Sequence, residues 1–179
     1  MENQFINLVS CRECKREVSP RAKFCPGCGA PYPGQQEWNG TGFEWKTERT
    51  YYGYPLIHIA FGRNAAGKLR VAKGVIAIGQ FAIGLITIAQ FGIGVLFGFG
   101  QFTFGLTAVS QFALTILFGI GQFAAGYAAI GQFVIAYYGL AFWGWAEYLW
   151  SPEHKDPQAA AFFKMLAEKI GVSTGNFFR

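Results

Sequence analysis

Between Gly74 and Ala146 the chain carries no Asp, Glu, Lys, Arg or His, and small and large apolar residues follow one another there on a five-residue beat. Gln-Phe pairs punctuate the stretch at 80, 90, 101, 111, 122 and 132. The steps alternate ten and eleven residues, so the superperiod is twenty-one: Gln80, Gln101 and Gln122 form one series, Gln90, Gln111 and Gln132 the other. In units counted from Gly79 the first position is always small, as at Gly84, Ala89, Ser110 and Ala141, and the third is usually large, as at Phe81, Phe91, Leu96, Phe102, Phe112 and Phe133. One extra residue, Phe97 and then Phe118, enters every fourth unit. A fixed short period of this kind is the signature of stacked repeats, each burying its apolar side on the next. Dense glycine with β-branched and aromatic residues disfavours helix and suits strands. The prediction is an all-β solenoid over 53–146, its repeats clearest over 79–145.

That register resembles the pentapeptide-repeat family, over residues 79 to 145. The resemblance implies a right-handed, four-sided β-helix of twenty-one-residue coils, with the first and third positions inside. Phe81 would then stack on Phe102 and Phe123, and Phe91 on Phe112 and Phe133. The family's outer wall is polar, whereas the fifth positions here include Ile83, Ile88, Ile93, Phe104, Val109, Leu114, Ile130 and Ile135. The repeat defines two apolar sets without saying which is core. On this coil the glutamines fall half a turn apart, on opposite faces, either bonded as amide ladders or marking a self-association surface. The whole also resembles small bacterial membrane proteins built from tandem AIG-type units, a likeness that brings no activity with it.

The charge-free stretch changes the expected solvent. Globular surfaces carry charge throughout, so a segment of this length without any points to lipid around it. The basic residues Arg63, Lys68, Arg70 and Lys73 stand just before it, where they suit anionic headgroups or the cytoplasmic side. A bundle of helical spans is the structural rival, but no charged loop interrupts the stretch. Twenty-one-residue coils would stack to about 17 Å against a hydrocarbon core of about 30 Å, so spanning, residence in one leaflet and end-to-end pairing all stay open. At its far end Trp143, Trp145, Tyr148 and Trp150 suit an interfacial aromatic belt, and Pro157 to Val172 just beyond reads as an amphipathic helix.

All four cysteines lie near the other end, as Cys11-x2-Cys14 and Cys25-x2-Cys28. Two such knuckles, with Pro26, Gly27 and Gly29 to turn the chain, bring four thiolates to one tetrahedral Zn2+. A disulfide staple needs an oxidising compartment that nothing here signals, and a redox pair needs a βαβ context that so short a module lacks. Four protein ligands leave no open coordination position, so the zinc is structural. The stretch resembles the short zinc ribbons at the N-termini of many bacterial proteins, which implies a docking module. The organisation expected is a zinc ribbon over 8–32, a linker over 33–52, the membrane-embedded solenoid over 53–146 and a C-terminal tail with its helix over 147–179. The opening MENQFINLVSC lacks a basic region followed by an apolar core, so no cleaved signal is expected.

Chemistry is sparse elsewhere. Gly62 to Lys68 matches GxxxxGK superficially, but Leu69 stands where a phosphate loop needs Ser or Thr. Pro55 to Phe61 and Leu69 to Ala72 are expected to form a hairpin or an irregular first coil around that turn, with His58 packed and hydrogen-bonded in it. There are no paired carboxylates and no Cys/His dyad outside the knuckles, so no enzyme is expected. The net charge of +5 is modest and forms no nucleic-acid stripe. The function expected is a membrane scaffold or adaptor whose ribbon docks a cytosolic protein, with lipid and a second copy as further partners. A channel or transporter component, or a regulator of permeability, is the alternative, and a multispan helical protein the structural one.

Overall fold

The computed structural model describes residues 8–34, 40–175 and 177–178. They fall into two compact units: residues up to Thr41 together with Arg63–Lys68, and Gly42–Gly62 together with Leu69–Arg179. In the first unit β1 (Val9–Ser10) pairs antiparallel with β2 (Glu17–Val18), and Phe24 bridges Pro31. Among its described residues Cys11, Val18, Cys25 and Ala30 form a small buried cluster with Val9 packed against it, and Pro33 is buried as well. Asn64 to Lys68 form a turn in which the Asn64 Oδ1 accepts the N–H groups of Ala66 and Lys68, both at 3.0 Å. The GxxxxGK look-alike is thus a turn closed by its own asparagine.

The second unit is mostly strand. β3 (Thr41–Lys46), β6 (Ile57–Arg63) and β7 (Val71–Trp150) form one sheet in the order β3-β6-β7, and β4 (Thr50–Tyr51) pairs with β5 (Tyr54–Pro55). β3 lies inside the segment expected as linker, because Thr-Gly-Phe-Glu-Trp-Lys alternates as an edge strand does; residues 35–39 of that segment lie outside the described residues. β6 runs parallel to β7, Ile57 opposite Ile76 and Ala60 opposite Gly79. Around the turn the chain doubles back as a short hairpin, the Asn64 N–H bonding the Lys68 carbonyl at 2.8 Å and the Arg70 N–H the Gly62 carbonyl at 2.9 Å, and the parallel pairing that follows makes an irregular first coil.

The 80 residues of β7 cannot be one straight strand. Extended chain rises about 3.3 Å per residue, so residues ten apart would lie about 33 Å from one another. Instead Gly84 abuts the carbonyl of Gly74, Gly105 that of Gly94 and Gly131 that of Gly121. Thr115 Oγ1 donates to the Ala125 carbonyl at 2.8 Å. Phe81 stacks on Phe91 at 5.3 Å, and the series continues through Phe102, Phe112, Phe123 and Phe133 with centroids 5.2 to 6.1 Å apart. The chain therefore returns to itself every ten or eleven residues. This corrects the twenty-one-residue, four-sided coil: Phe81 has Phe91 as its neighbour, so the superperiod is two windings, one of ten residues and one of eleven.

Burial explains why the winding is so short. The buried positions run Ala72, Ala77, Ala82, Thr87, Gly92, Gly98, Thr103, Ala108, Ala113, Gly119, Ala124, Ala129, Val134 and Gly139. These are the fourth positions of the units, and the small first positions, such as Gly79, Ala89, Gly94 and Ser110, join them. The third positions do not go inside, since Phe91, Phe102 and Phe112 are 40 to 49% exposed. The fifth positions Ile83, Ile88, Ile93, Phe104 and Ile135 are exposed as well. Neither apolar set is the core. A wide square coil needs Leu or Phe to fill it; here the inward positions are mostly Ala, Gly and Thr, and the chain meets itself again after two five-residue units. Backbones approach so closely that a methyl at Gly92 would lie 2.9 Å from Thr87 Oγ1, inside van der Waals contact.

Within this core Thr87 and Thr103 are fully buried, and among the described residues their hydroxyls have no hydrogen-bond partner. An unpaired buried hydroxyl costs about 1–3 kcal/mol, and valine has the same shape. Thr103→Val is therefore expected to raise unfolding free energy by about 1 kcal/mol in a denaturant titration.

α1 (Pro157–Lys169) follows, ending close to its expected limit. Asp156 caps it, its Oδ1 accepting from Gln158 N–H at 2.7 Å and Ala159 N–H at 3.2 Å, and Pro157 supplies a first turn that needs no N–H. The helix buries Ala159 and Phe163, and Phe162 stacks on Tyr138 at 4.2 Å. Its Phe163, Leu166 and Ile170 share an apolar hollow with Phe118, Ile120, Ile130 and Leu140 of β7. The apolar stripe thus covers one side of the last windings, and Lys164, Glu168 and Lys169 stay exposed.

Candidate metal centre and apolar wall

Each cysteine pair sits on a tight turn held by its own backbone. The Cys11 N–H bonds the Arg16 carbonyl at 2.8 Å and the Lys15 N–H the Cys11 carbonyl at 3.0 Å; Cys25 to Ala30 and Gly29 to Cys25 repeat the pattern at 2.8 and 2.9 Å. Both turns end on a left-handed residue, Lys15 at φ 60° and Gly29 at φ 75°. Glycine adopts that geometry freely and lysine does not, which is why the second knuckle is the easier to read from sequence. Arg12 ties the two together, its guanidinium donating to the Pro31 carbonyl at 2.8 Å.

The four sulfurs lie within 4.8 Å of one another. Cys11 and Cys28 are 3.7 Å apart, and Cys14 and Cys25 are 3.5 Å apart, too far for a disulfide bond of about 2.05 Å. Tetrahedral ligands about 2.3 Å from one ion would stand about 3.8 Å from each other, so the spacing suits a metal at the centre. Protonation points the same way. The Cys14 N–H directed at its sulfur lowers Cys11, and the Gly27 N–H, 3.4 Å away, lowers Cys25 to about 6. Cys28 is pulled down by the Ala30 N–H, but burial and the neighbouring sulfurs outweigh this and push it up to about 12. Four thiolates this close repel; a divalent cation among them removes the conflict. Between Leu8 and Gly34 five basic side chains stand against two acidic ones, a balance that offsets the doubly negative charge four thiolates would keep around a divalent cation.

The glutamines of the repeat gather elsewhere than expected. The half-turn argument put the Gln80 and Gln90 series on opposite faces; with a winding of ten or eleven residues they share one edge, beside the phenylalanine ladder that ends on Trp143, 4.9 Å from Phe133. Gln90, Gln101, Gln111, Gln122 and Gln132 are exposed, and Gln80 is half-buried. The opposite edge carries its own stacks, Tyr127 on Tyr137 at 5.5 Å and Tyr138 on Tyr148 at 5.2 Å. Val95 at 56%, Ile116 at 60% and Phe104 at 51% exposed place large apolar side chains on several sides of the winding. Among the described residues no helix is long and apolar enough to cross a membrane. The helical alternative for Gly74–Ala146 is corrected, because the glycine-rich beat that spoils a helix winds as strand.

One cluster escaped the sequence reading. His58 is buried as expected, its Nδ1 accepting the Lys73 N–H at 2.9 Å. Its Nε2 lies 3.4 Å from Glu44, which is also ion-paired with Arg70. The three residues tie β3 and β6 to the start of β7. No short-range signal joins Glu44 to a partner 26 residues away. No family model, curated relative or solved structure matches this chain.

Proposed function

We propose that this chain is a non-enzymatic, membrane-embedded scaffold or adaptor: residues 74–146 form a narrow, two-sided β-solenoid set among lipid acyl chains, and a Zn2+-bound four-cysteine ribbon docks a protein partner on the cytoplasmic side. The observation that carries this reading is a core made of Ala, Gly and Thr beneath an outer wall of Phe, Ile, Leu and Val without a single charge from Gly74 to Ala146. Large apolar side chains outside and small ones inside invert the arrangement water selects. Exposed apolar patches on soluble monomers seldom exceed a few hundred Å². Windings that bond each to the next satisfy their own peptide groups, the condition hydrocarbon imposes on any embedded backbone.

Dimensions support the reading. About seven windings at roughly 4.8 Å give about 34 Å, close to the roughly 30 Å of a hydrocarbon core and twice the length expected from coils of twenty-one residues. Interfacial chemistry stands at both ends of the wall, with exposed Tyr51, Tyr52 and Tyr54 near Lys73 at one and Trp143, Trp145 and Glu147 at the other. The side covered by α1, with its outward Lys164, Glu168 and Lys169, is the polar-facing side of the last windings. Four thiolate ligands leave a zinc ion no open position, which suits folding and docking and not catalysis.

Fractionation tests the reading. The chain is expected to stay in the pellet when membranes are washed at alkaline pH, with its ribbon cut by protease from the cytoplasmic face alone. Release into the supernatant would overturn membrane embedding.

A further inference from the structure

We propose that the edge formed by the glutamines and the phenylalanine ladder is a seam along which two copies of this chain pair within the membrane, an inference that rests on the membrane reading above. One glutamine stands on this edge in each winding from Gln80 to Gln132, and among the described residues none of the six side-chain amides makes a hydrogen bond. Every amide offers two donor hydrogens and an acceptor oxygen. Water would satisfy them; acyl chains do not, and an unpaired amide in hydrocarbon is costly. Bonds up the column, at the spacing of the windings, would use one hydrogen of each amide and leave the other unmet.

A second copy brings the same array at the same spacing. Pairing about a two-fold axis sets amide against amide and phenylalanine against phenylalanine, a self-complementary contact of the kind that Gln side chains drive between membrane segments. No charge between Gly74 and Ala146 opposes it. The opposite edge is partly taken: Tyr51, Tyr52 and Tyr54 lie by Val75, Leu85 and Val95, and α1 lies against Phe118 and Tyr138. On the Gln-Phe edge Gln90, Gln101, Gln111, Gln122 and Gln132 are exposed among the described residues.

Area decides between a second copy in lipid and a soluble partner. Five steps of about 4.8 Å by a side-chain width of about 10 Å give roughly 240 Å² per copy, against about 800 Å² per partner for a stable interface in water. The strip is too small to hold by burial alone. Its amides supply the drive, and they do so only where water is absent.

The test is energy transfer between N-terminally labelled full-length chains in phosphatidylcholine vesicles, titrated over the protein-to-lipid ratio. The wild-type chain is expected to pair, and Gln101→Leu with Gln111→Leu to weaken pairing at least tenfold while the amide I spectrum is unchanged. Gln101→Asn, which keeps the amide and shortens its reach, is expected to weaken it less, and Leu117→Ala on the opposite edge not at all. Transfer that is absent in the wild type, or untouched by the double substitution, in chains still bound to vesicles would overturn the seam and leave the membrane reading standing. Chains that fail to stay with the vesicles would overturn both.

Discussion

Replacing Gly100 by Val is expected to abolish the folded β7 segment, whereas Phe112→Ala leaves it folded. A side chain at Gly100 would run into the carbonyl of Ala89 on the neighbouring winding. No rotamer relieves a clash between Cβ and backbone, so the winding must open. Overpacking a core ordinarily costs about 1–3 kcal/mol; where backbone must separate, about 4 kcal/mol or more is expected, the exceptional class of single substitution. Phe112 is 46% exposed and stacks on Phe102 and Phe123 at 5.7 and 5.2 Å, so its loss removes ring contacts worth about 1 kcal/mol. Thermal unfolding in detergent, followed by the amide I band, measures both. Were the phenylalanines the filling of a square coil, Phe112→Ala would cost about 3–5 kcal/mol and the gap between the two variants would close.

The second large effect is expected at the knuckles. Cys25→Ser removes a buried thiolate from a set whose sulfurs lie within 4.8 Å of each other. Structural zinc contributes about 10–16 kcal/mol of apparent binding free energy in ribbon-sized units, so loss of one ligand is expected to weaken zinc binding at least about a thousandfold and to unfold the unit. Metal analysis should find one Zn2+ per wild-type chain and none in the variant. The amide I band of β7 should not change, because the β7 segment belongs to the other compact unit. Acid works in the same direction. Cys25 is depressed to about 6 from an ordinary value of about 8.5, so the stability its thiolate contributes is full above about 8.5 and lost as pH falls through about 6.

The beat of small residues and the Gln-Phe spacing made a stacked β architecture legible, since nothing else demands a small residue at each fifth position. Winding size was not legible. Ten- and eleven-residue turns alternate, so the residue count repeats at twenty-one, and a double period looks like a single wide coil. The inward set was hidden for a related reason: Ala82, Thr87, Gly92 and Ala113 draw no notice beside Phe and Ile, and the usual rule that large apolar residues fill cores picks the wrong columns. Volume decides the matter, because facing strands this close have room for nothing larger than Thr or Val. The cysteines were readable because metal-ligand spacing is local; the Glu44, Arg70 and His58 cluster was not, because its members meet only once β3 and β6 lie on the first winding. The amphipathic pattern from Pro157 to Val172 announced α1, whereas the side it would cover depended on the columns Ile120, Ile130 and Leu140 coming together.

The most direct test of the account is the infrared amide I spectrum of the full-length chain retained in vesicles after an alkaline wash. Retention with a β-dominated band, and with backbone amides of residues 74–146 protected from hydrogen exchange, is the predicted result. A chain found in the wash, or one retained with a helix-dominated band, would contradict it.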